Sequence, residues 1–384
     1  MGCVNSTNSA AQTPTQRRRL SVGAVEDTGT DDKSDAAEED RGLITALNAS
    51  GLMELLQEDI ASGRKFSIGS QTDQAKTSFA NKTVAHLGDE VDVVSSGLGY
   101  TCRKGLKPES PNQDSWMVLK VDGQFSIYGV FDGHGKQGHD VSNYVKDMLP
   151  KLILRDQRFK TNDMPAMLMD NFKKVQSLVM TMDRMKKLSA QMSGTTATVV
   201  VHDHADNKIT VAHVADSTCV LGSYKDASKQ NFVGVALTRD HKPNLKDERA
   251  RIEKAGGRVV FDGYANHRVY AKNARYPGLN MSRCLGDLMG HADAGCSCEP
   301  EVSVRILTPE DNVLLLCSDG VWEFITPQEA VEMVARKSPG QAMNTADTLA
   351  KEAWDRWIQE EGGAVVDDIT VLLVYLHQQN KPSP

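Results

Sequence analysis

The stretch FDGHG, Phe131 to Gly135, most constrains what this chain can fold into. Apolar residues alternate before it, as in a strand, and recur at helical spacing after it. A carboxylate, two glycines and a histidine therefore stand where a strand ends and a helix begins. Asp132 can offer oxygen to a hard cation, and His134 can carry a proton near neutral pH. A plain Asp-Gly turn beside a solvent-facing histidine would look the same, so the function depends on what converges there.

The charge, the cysteine content and the hydropathy of the chain argue against several classes of protein. The net charge is -7, which argues against a nucleic-acid binder. The seven cysteines are an odd, scattered set, which indicates reduced thiols rather than a disulfide framework. No run approaches the ~20 apolar residues of a membrane span. These observations predict a cytosolic protein. Separately, we expect the protein to be a monomer.

Several strand-like segments follow one another, as do several helical segments, so strands and helices do not strictly alternate along the chain. Helices are predicted over 141–154, 166–187, 327–336 and 341–359. Strands are predicted over 116–119, 124–130, 195–202, 208–214, 218–222, 313–317 and 369–376. The turn at 205–207 predicts a hairpin. Hairpin-linked strands with paired helices predict an α+β fold of antiparallel sheets with helices packed outside.

Aspartates recur at the ends of apolar runs. They are Asp114 in PNQDSW, Asp216 in VADST, Asp287 in SRCLGD, Asp319 in CSDGVW, and Asp367 with Asp368 in VVDDIT. Each of these aspartates, taken alone, is typical of a turn. Several carboxylates buried together require cations, and oxygen ligands select Mg²⁺ or Mn²⁺.

Together these segments resemble the metal-dependent serine/threonine phosphatases of type 2C. NQDS, VFDGHG, SGTTATVV, VADS, RDHKP, SRCLGD, CSDGVW and DDITVLLV occur in that family's order, over roughly residues 91–376. The resemblance implies a β-sandwich of two antiparallel sheets flanked by α-helices. It also implies two Mg²⁺ or Mn²⁺ ions, with a weaker third site, and phosphoprotein substrates hydrolysed by metal-activated water.

The resemblance also assigns site residues. Asp132 would bridge the metals and the Gly133 carbonyl would bind one of them. The remaining assignments are metal ligation by Asp114, Asp287 and Asp367, a third-metal site at Asp216, the general acid at His134, and the phosphate ligand at Arg103.

This chain departs from the family's usual pattern at two positions, and each departure leaves an alternative open. Gln113 stands where many relatives have glutamate, so metal affinity is expected to fall; a pseudo-phosphatase that binds phosphoproteins without turnover is the alternative reading. Arg103 lies farther from Asp114 than is usual in the family, so Lys107 is a rival for the phosphate.

The N-terminus reads MGCVNS, which fits myristoylation at Gly2, with Cys3 as a palmitoylation site that would make anchoring stable. Arg17, Arg18 and Arg19 add affinity for an anionic leaflet. We therefore expect attachment to the cytoplasmic face of a membrane, with room for a cytosolic pool. The expected organisation is a disordered acylated tail (1–41), a helical extension and linker (42–90), the catalytic domain (91–378) and a short C-terminal tail (379–384).

Overall fold

The computed structural model describes residues 55–56, 63–107, 110–225 and 230–376. The predicted acylated tail and most of the predicted 42–60 helical segment lie outside these residues. No helix in the described ranges is long and apolar enough to cross a membrane.

Eighteen strands form in the described part of the chain. The first nine are β1 (Lys65–Ser70), β2 (Val84–Gly88), β3 (Leu98–Arg103), β4 (Ser115–Val121), β5 (Phe125–Phe131), β6 (Gly133–His134), β7 (Gly194–Thr195), β8 (Ala197–Asp203) and β9 (Lys208–Val214). The others are β10 (Thr218–Tyr224), β11 (Phe232–Ala236), β12 (Arg258–Phe261), β13 (His267–Tyr270), β14 (Pro277–Leu279), β15 (Leu285–Gly286), β16 (Glu301–Ile306), β17 (Asp311–Cys317) and β18 (Ile369–Tyr375).

Helices in the same ranges separate these strands. They are α1 (Val93–Ser96), α2 (Gly138–Arg155), α3 (Met164–Arg184), α4 (Lys246–Lys254), α5 (Leu288–Asp293), α6 (Asp319–Trp322), α7 (Pro327–Val334) and α8 (Ala342–Glu360), with a 3₁₀ turn at Pro339–Gln341. α7 begins sharply because Thr326 and Glu329 form a capping box and Pro327 fits the first turn.

Two antiparallel sheets make up the centre. Among the described residues, one has the order β16-β9-β8-β5-β4-β1-β2 and the other β11-β10-β17-β18-β3. Buried side chains from both sheets, including Trp116, Tyr128, Leu314 and Leu372, fill the space between them. The outer face of the first sheet packs on α2 and α3. That of the second packs on α7 and α8. The predicted α+β sandwich flanked by helices is confirmed.

The sheet begins upstream of residue 91, which differs from the helical extension and linker expected over 42–90. β1 pairs with both β4 and β2. Phe66 and Ile68 point into the core between the sheets, since they alternate with less buried neighbours. Leu56 is also fully buried, in the core under α2 and α3.

A small lobe, residues 242–283, projects from the sandwich. It holds α4 and the three-stranded sheet β12-β13-β14. Its own core includes Ile252, Val259, Val269 and Leu279, joined by Ala215 and Cys284 from the sandwich side.

Candidate metal and phosphate site

Strand pairing brings the aspartates to one edge of the sandwich. Ser115 pairs with Phe131, which places the preceding Asp114 beside the following Asp132. Cys317 pairs with both Thr218 and Val371, so the segments carrying Asp216, Asp319 and Asp367 end at the same edge. Because hydrogen-bonded strands fix the register, carboxylates far apart in sequence become neighbours.

The charge around Asp132 is strongly negative. Burial raises the pKa of Asp132 well above its ordinary value, and the carboxylates of Asp114, Asp319, Asp367 and Asp216 raise it further. Like charges gathered in this way disfavour ionisation unless a cation is present. Asp319 stands in one of the six similar motifs, yet the family resemblance does not assign it as a metal ligand; the structure brings it to the cluster.

One carboxylate oxygen of Asp114 has no hydrogen-bond partner among the described residues. Oδ2 accepts a hydrogen bond from Thr370 Oγ1 at 2.7 Å. Oδ1 is buried and contacts no donor among the described residues. Burial, the largest cause, and the negative charge of Asp368 raise the pKa of Asp114 to about 7. The hydrogen bonds from Thr370 and Ser318 lower the pKa but do not offset this rise. A buried acceptor with no donor fits a cation ligand.

The adjacent Asp367 and Asp368 have different surroundings. Asp368 accepts the backbone N–H groups of Gly105 and Gln113, both at 2.7 Å, so it ties two loops together. Asp367 instead accepts a bond from the Lys107 ammonium at 2.7 Å and acts on Asp132. Of the two, Asp367 is the one that belongs to the cluster.

The FDGHG loop is held too tightly for a side chain at Gly133. A Cβ there would lie 2.4 Å from the Gly138 carbonyl oxygen and 2.6 Å from that of Gln113. The Gln113 carboxamide donates through Nε2 to the Gly135 carbonyl at 2.7 Å. A glutamate could not donate this bond, so Gln113 braces the loop here.

His134 and Asp287 meet across a three-stranded sheet of short strands, β15-β7-β6. His134 Nε2 lies 2.5 Å from Asp287 Oδ2. Burial lowers the pKa of His134, but the charge and hydrogen bond of Asp287 outweigh it, so the pKa is raised. Asp287 Oδ1 is buried without a partner among the described residues. Asp287 is thus placed to orient His134, and its role as a metal ligand stays a prediction.

Asp216 is held by the segment that follows β11. The Lys242 ammonium donates to Asp216 Oδ2. His241 Nδ1 accepts the backbone N–H of Ala215 at 3.0 Å, which fixes the turn before Asp216. The nearby group His213, His241 and Glu301 has the residue types of a metal site. Arg239 and Arg283 contact Glu301, however, so cations already occupy that carboxylate.

Of the two candidate phosphate ligands, only Lys107 contacts the cluster. The three guanidinium nitrogens of Arg103 contact Thr101, the Phe79 carbonyl and Asp347, the last at 2.7 Å. None of these belongs to the carboxylate cluster. Burial lowers the pKa of Lys107, but Asp367 and Asp368 outweigh it and raise the pKa, so the ammonium stays charged. The family resemblance assigned the phosphate to Arg103 with Lys107 as its rival, but position along the chain does not show which of the two side chains turns towards the cluster.

The donor set fits hard divalent cations. It is made of carboxylate oxygens and a backbone carbonyl, as Mg²⁺ and Mn²⁺ prefer. The buried Oδ1 of Asp114, which has no hydrogen-bond partner among the described residues, is the observation that supports this fit. The lipidation candidates Gly2 and Cys3 lie outside the described residues.

Comparison with known proteins agrees with the family resemblance seen in the sequence motifs. The family model "Protein phosphatase 2C" matches residues 108–361. "Probable protein phosphatase 2C 73" of Arabidopsis thaliana is 32% identical over 292 residues, covering 70% of this chain and 76% of that protein. "Probable protein phosphatase 2C 48" of Oryza sativa subsp. japonica is 32% identical over 354 residues, covering 85% and 98%. The crystal structure of a serine-threonine phosphatase 2C from Toxoplasma gondii aligns with a TM-score of 0.62 at 21% identity, covering 72% of this chain and 94% of that one.

Proposed function

The chain belongs to the protein phosphatase 2C family of metal-dependent serine/threonine phosphatases, and from that premise we propose how its own residues act. We propose that the edge cluster holds two Mg²⁺ or Mn²⁺ ions, that Lys107 contacts the substrate phosphate, and that His134 serves the leaving group. We also propose that acylation at Gly2 and Cys3 tethers the enzyme to a membrane.

The gathering of carboxylates around Asp132 carries the proposal. Asp114, Asp216, Asp319 and Asp367 all act on it, and burial disfavours the charges of Asp114, Asp216 and Asp367. Burying several ionised groups is costly without counterions. Lys107 and Lys242 supply two positive charges, fewer than the five carboxylates need, so divalent cations would complete the balance.

The chain's residues divide the ligation between them. Asp132 and the Gly133 carbonyl, with Asp114, Asp319 and Asp367, would hold the ions, and Asp216 would serve a weaker third site. When bound, such ions supply a water of lowered pKa and neutralise charge on a phosphoryl group.

Lys107 would contact the substrate phosphate from the cluster's rim. It is 14% exposed and already lies on Asp367 at 2.7 Å. An ammonium on a flexible stem can turn from Asp367 to a phosphate oxygen. Lys107→Met should raise KM for a phosphopeptide about tenfold, the effect of one lost charge-assisted bond. Arg103→Met is the matched variant, and a larger KM effect there would reverse the assignment.

His134 would give a proton to the departing seryl or threonyl oxygen. Asp287 holds the ring through Nε2. Nδ1 has no partner among the described residues and carries the transferable proton when the ring is charged. Protonating the leaving oxygen matters because an alkoxide leaves poorly, and such help contributes about 10²–10⁴ in rate.

The decisive assay is Mn²⁺-dependent phosphate release from a phosphothreonine peptide. The parent should release phosphate only with Mn²⁺ or Mg²⁺, and Asp132→Ala should lose this activity. Asp206→Asn, an exposed aspartate in the β8–β9 turn, is the control for a change of charge alone. A parent protein with no metal-dependent release, but with retained phosphopeptide binding, would instead support the pseudo-phosphatase suggested by Gln113.

The tethering proposal is supported by the MGCVNS sequence and the three arginines that follow it. Two acyl chains are needed because a single myristoyl chain binds only marginally. Gly2→Ala should abolish partitioning into the membrane fraction of cells, and Cys3→Ser should leave weak, reversible binding. Equal partitioning of Gly2→Ala and the parent would refute it.

A further inference from the structure

The lobe of residues 242–283 is strongly basic on an acidic chain. It holds ten lysines and arginines against four aspartates and glutamates, a net charge of +6, whereas the whole chain carries -7. A local excess of this size creates a field that attracts anionic partners. The question is which of these charges remain available at the surface.

The lobe's acidic residues are all committed to arginines. Asp247 pairs with Arg239, Glu253 with Arg249, and Asp262 with Arg268; Glu248 pairs with both Arg251 and Arg283. That leaves a second set of cations that are exposed and form no ion pair with any described residue. They are Lys246, Lys254, Arg258, Lys272 and Arg275.

Four of these cations form one patch, which we call the basic patch: Lys254, Arg258, Lys272 and Arg275. Arg258 joins it together, since its guanidinium donates to the carbonyls of Ala271 and Ala274 at 3.3 and 2.7 Å. These carbonyls belong to the loop that carries Lys272 and Arg275. Lys254 ends α4, four residues before Arg258.

The patch is anchored to the catalytic edge. In the same loop, Tyr276 donates its hydroxyl to Asp293 at 2.9 Å, and Asp293 ends α5, the helix that begins after Asp287. Six residues of helix span about 9 Å. An extended peptide advances about 3.3 Å per residue. When the phosphorylated residue of a substrate is bound at His134, the substrate residues about three to five positions away from it would therefore reach the patch.

We propose that the basic patch selects phosphoprotein segments with acidic residues about three to five positions from the phosphorylated residue. This inference rests on the proposed function, because it places the phosphate at the cluster beside His134. It names the class of substrate: acidic segments rather than neutral or basic ones. The exposed ammonium and guanidinium groups would pair with substrate carboxylates as each segment docks.

An anionic membrane is the other partner that a basic surface could bind. The substrate is favoured because the lobe's core includes Ala215 and Cys284, which lie next to Asp216 and three residues before Asp287. Lys242, at the start of the lobe, also contacts Asp216. The lobe that carries the patch is thus joined to the segments that carry Asp216 and Asp287.

The experiment compares two phosphothreonine peptides that differ only in flanking residues, glutamates in one and glutamines in the other, about three to five positions away on both sides. The parent should show a kcat/KM about tenfold higher for the acidic peptide, and about 0.5 M salt should abolish this preference by screening. Lys272→Gln with Arg275→Gln should reduce the preference to about threefold. Arg336→Gln with Lys337→Gln, an exposed pair beyond α7, is the matched control and should keep the parent's ratio.

Hydrolysis of para-nitrophenyl phosphate by the parent separates the two proposals. No metal-dependent hydrolysis of either that compound or the peptides would refute the proposed phosphatase activity. Hydrolysis with equal kcat/KM for both peptides would refute the patch alone. Vesicles of about four parts phosphatidylcholine to one part phosphatidylserine test the lipid reading. If the double substitution weakens vesicle sedimentation and leaves the peptide ratio unchanged, the patch faces lipid and the inference is overturned.

Discussion

Gly194→Ala tests a close contact in the site, the approach of Asp287 to β7. A Cβ on Gly194 would lie 2.2 Å from Asp287 Oδ2 and 2.7 Å from the Leu285 carbonyl oxygen. The Asp287 carboxylate would have to move by about 1 Å to restore ordinary contact. That shift would lengthen its 2.5 Å bond to His134 to about 3.5 Å, beyond hydrogen-bond range.

The expected magnitude combines two costs. Losing a hydrogen bond to a charged group costs about 2 kcal/mol, and overpacking a well-packed site costs about another 2 kcal/mol. The free energy of unfolding should therefore fall by about 4 kcal/mol, which lowers Tm by about 8 °C. Because His134 loses its orientation, kcat should fall about 100-fold.

Differential scanning fluorimetry and peptide dephosphorylation measure both effects. Gly340→Ala is the matched control, since a Cβ there meets only Val94 Cγ1, at an ordinary 3.4 Å. If Gly194→Ala melts and turns over like Gly340→Ala, the tight seating of Asp287 against β7 is wrong.

Three further changes test other parts of the chain. Asp319→Asn should shrink the Tm increase that Mn²⁺ produces, because it removes one carboxylate charge from the cluster; an unchanged increase would remove Asp319 from the metal set. Burial lowers the pKa of His202 to about 4 and of His204 to about 3, from the usual 6.5, so the folded state binds fewer protons and stability should be lost as pH falls from about 6.5 towards 4. His204→Gln should flatten the pH dependence of Tm over that range, and an unaltered slope would contradict this cause. Leu56→Ala should lower the free energy of unfolding by about 3 kcal/mol, as expected for a fully buried leucine, whereas Leu87→Ala, 46% exposed, should change it by less than about 0.5 kcal/mol; equal effects would show that Leu56 does not belong to the core.

The long, strongly patterned elements could be predicted from the sequence. The two helices expected over 141–154 and 166–187 are α2 and α3, and the hairpin at 205–207 joins β8 and β9. The strands around FDGHG are present as β4 and β5. These segments carry period-two or helical patterns long enough to stand out, because most of one face is buried.

Several shorter strands could not be predicted from the sequence. β1 and β2 lie in a segment read as polar linker, since in β1 only Phe66, Ile68 and Ser70 are buried and in β2 most residues are exposed. The lobe's strands β12 to β14 are three or four residues long. Their stability comes from pairing and from the lobe core, which local sequence does not display.

The sequence by itself determined the chemistry: which aspartates stand at strand ends, that a histidine stands between the two glycines of FDGHG, and that oxygen ligands imply hard cations. Only the tertiary structure decided the roles, because these depend on which way a side chain points and what lies opposite it. It separated Asp367 from the neighbouring Asp368 through their partners, and it set Asp287 against His134. It likewise turned Arg103, at the end of β3, towards Asp347 and brought Lys107, in the loop that follows, to the cluster, a difference that residue spacing does not encode.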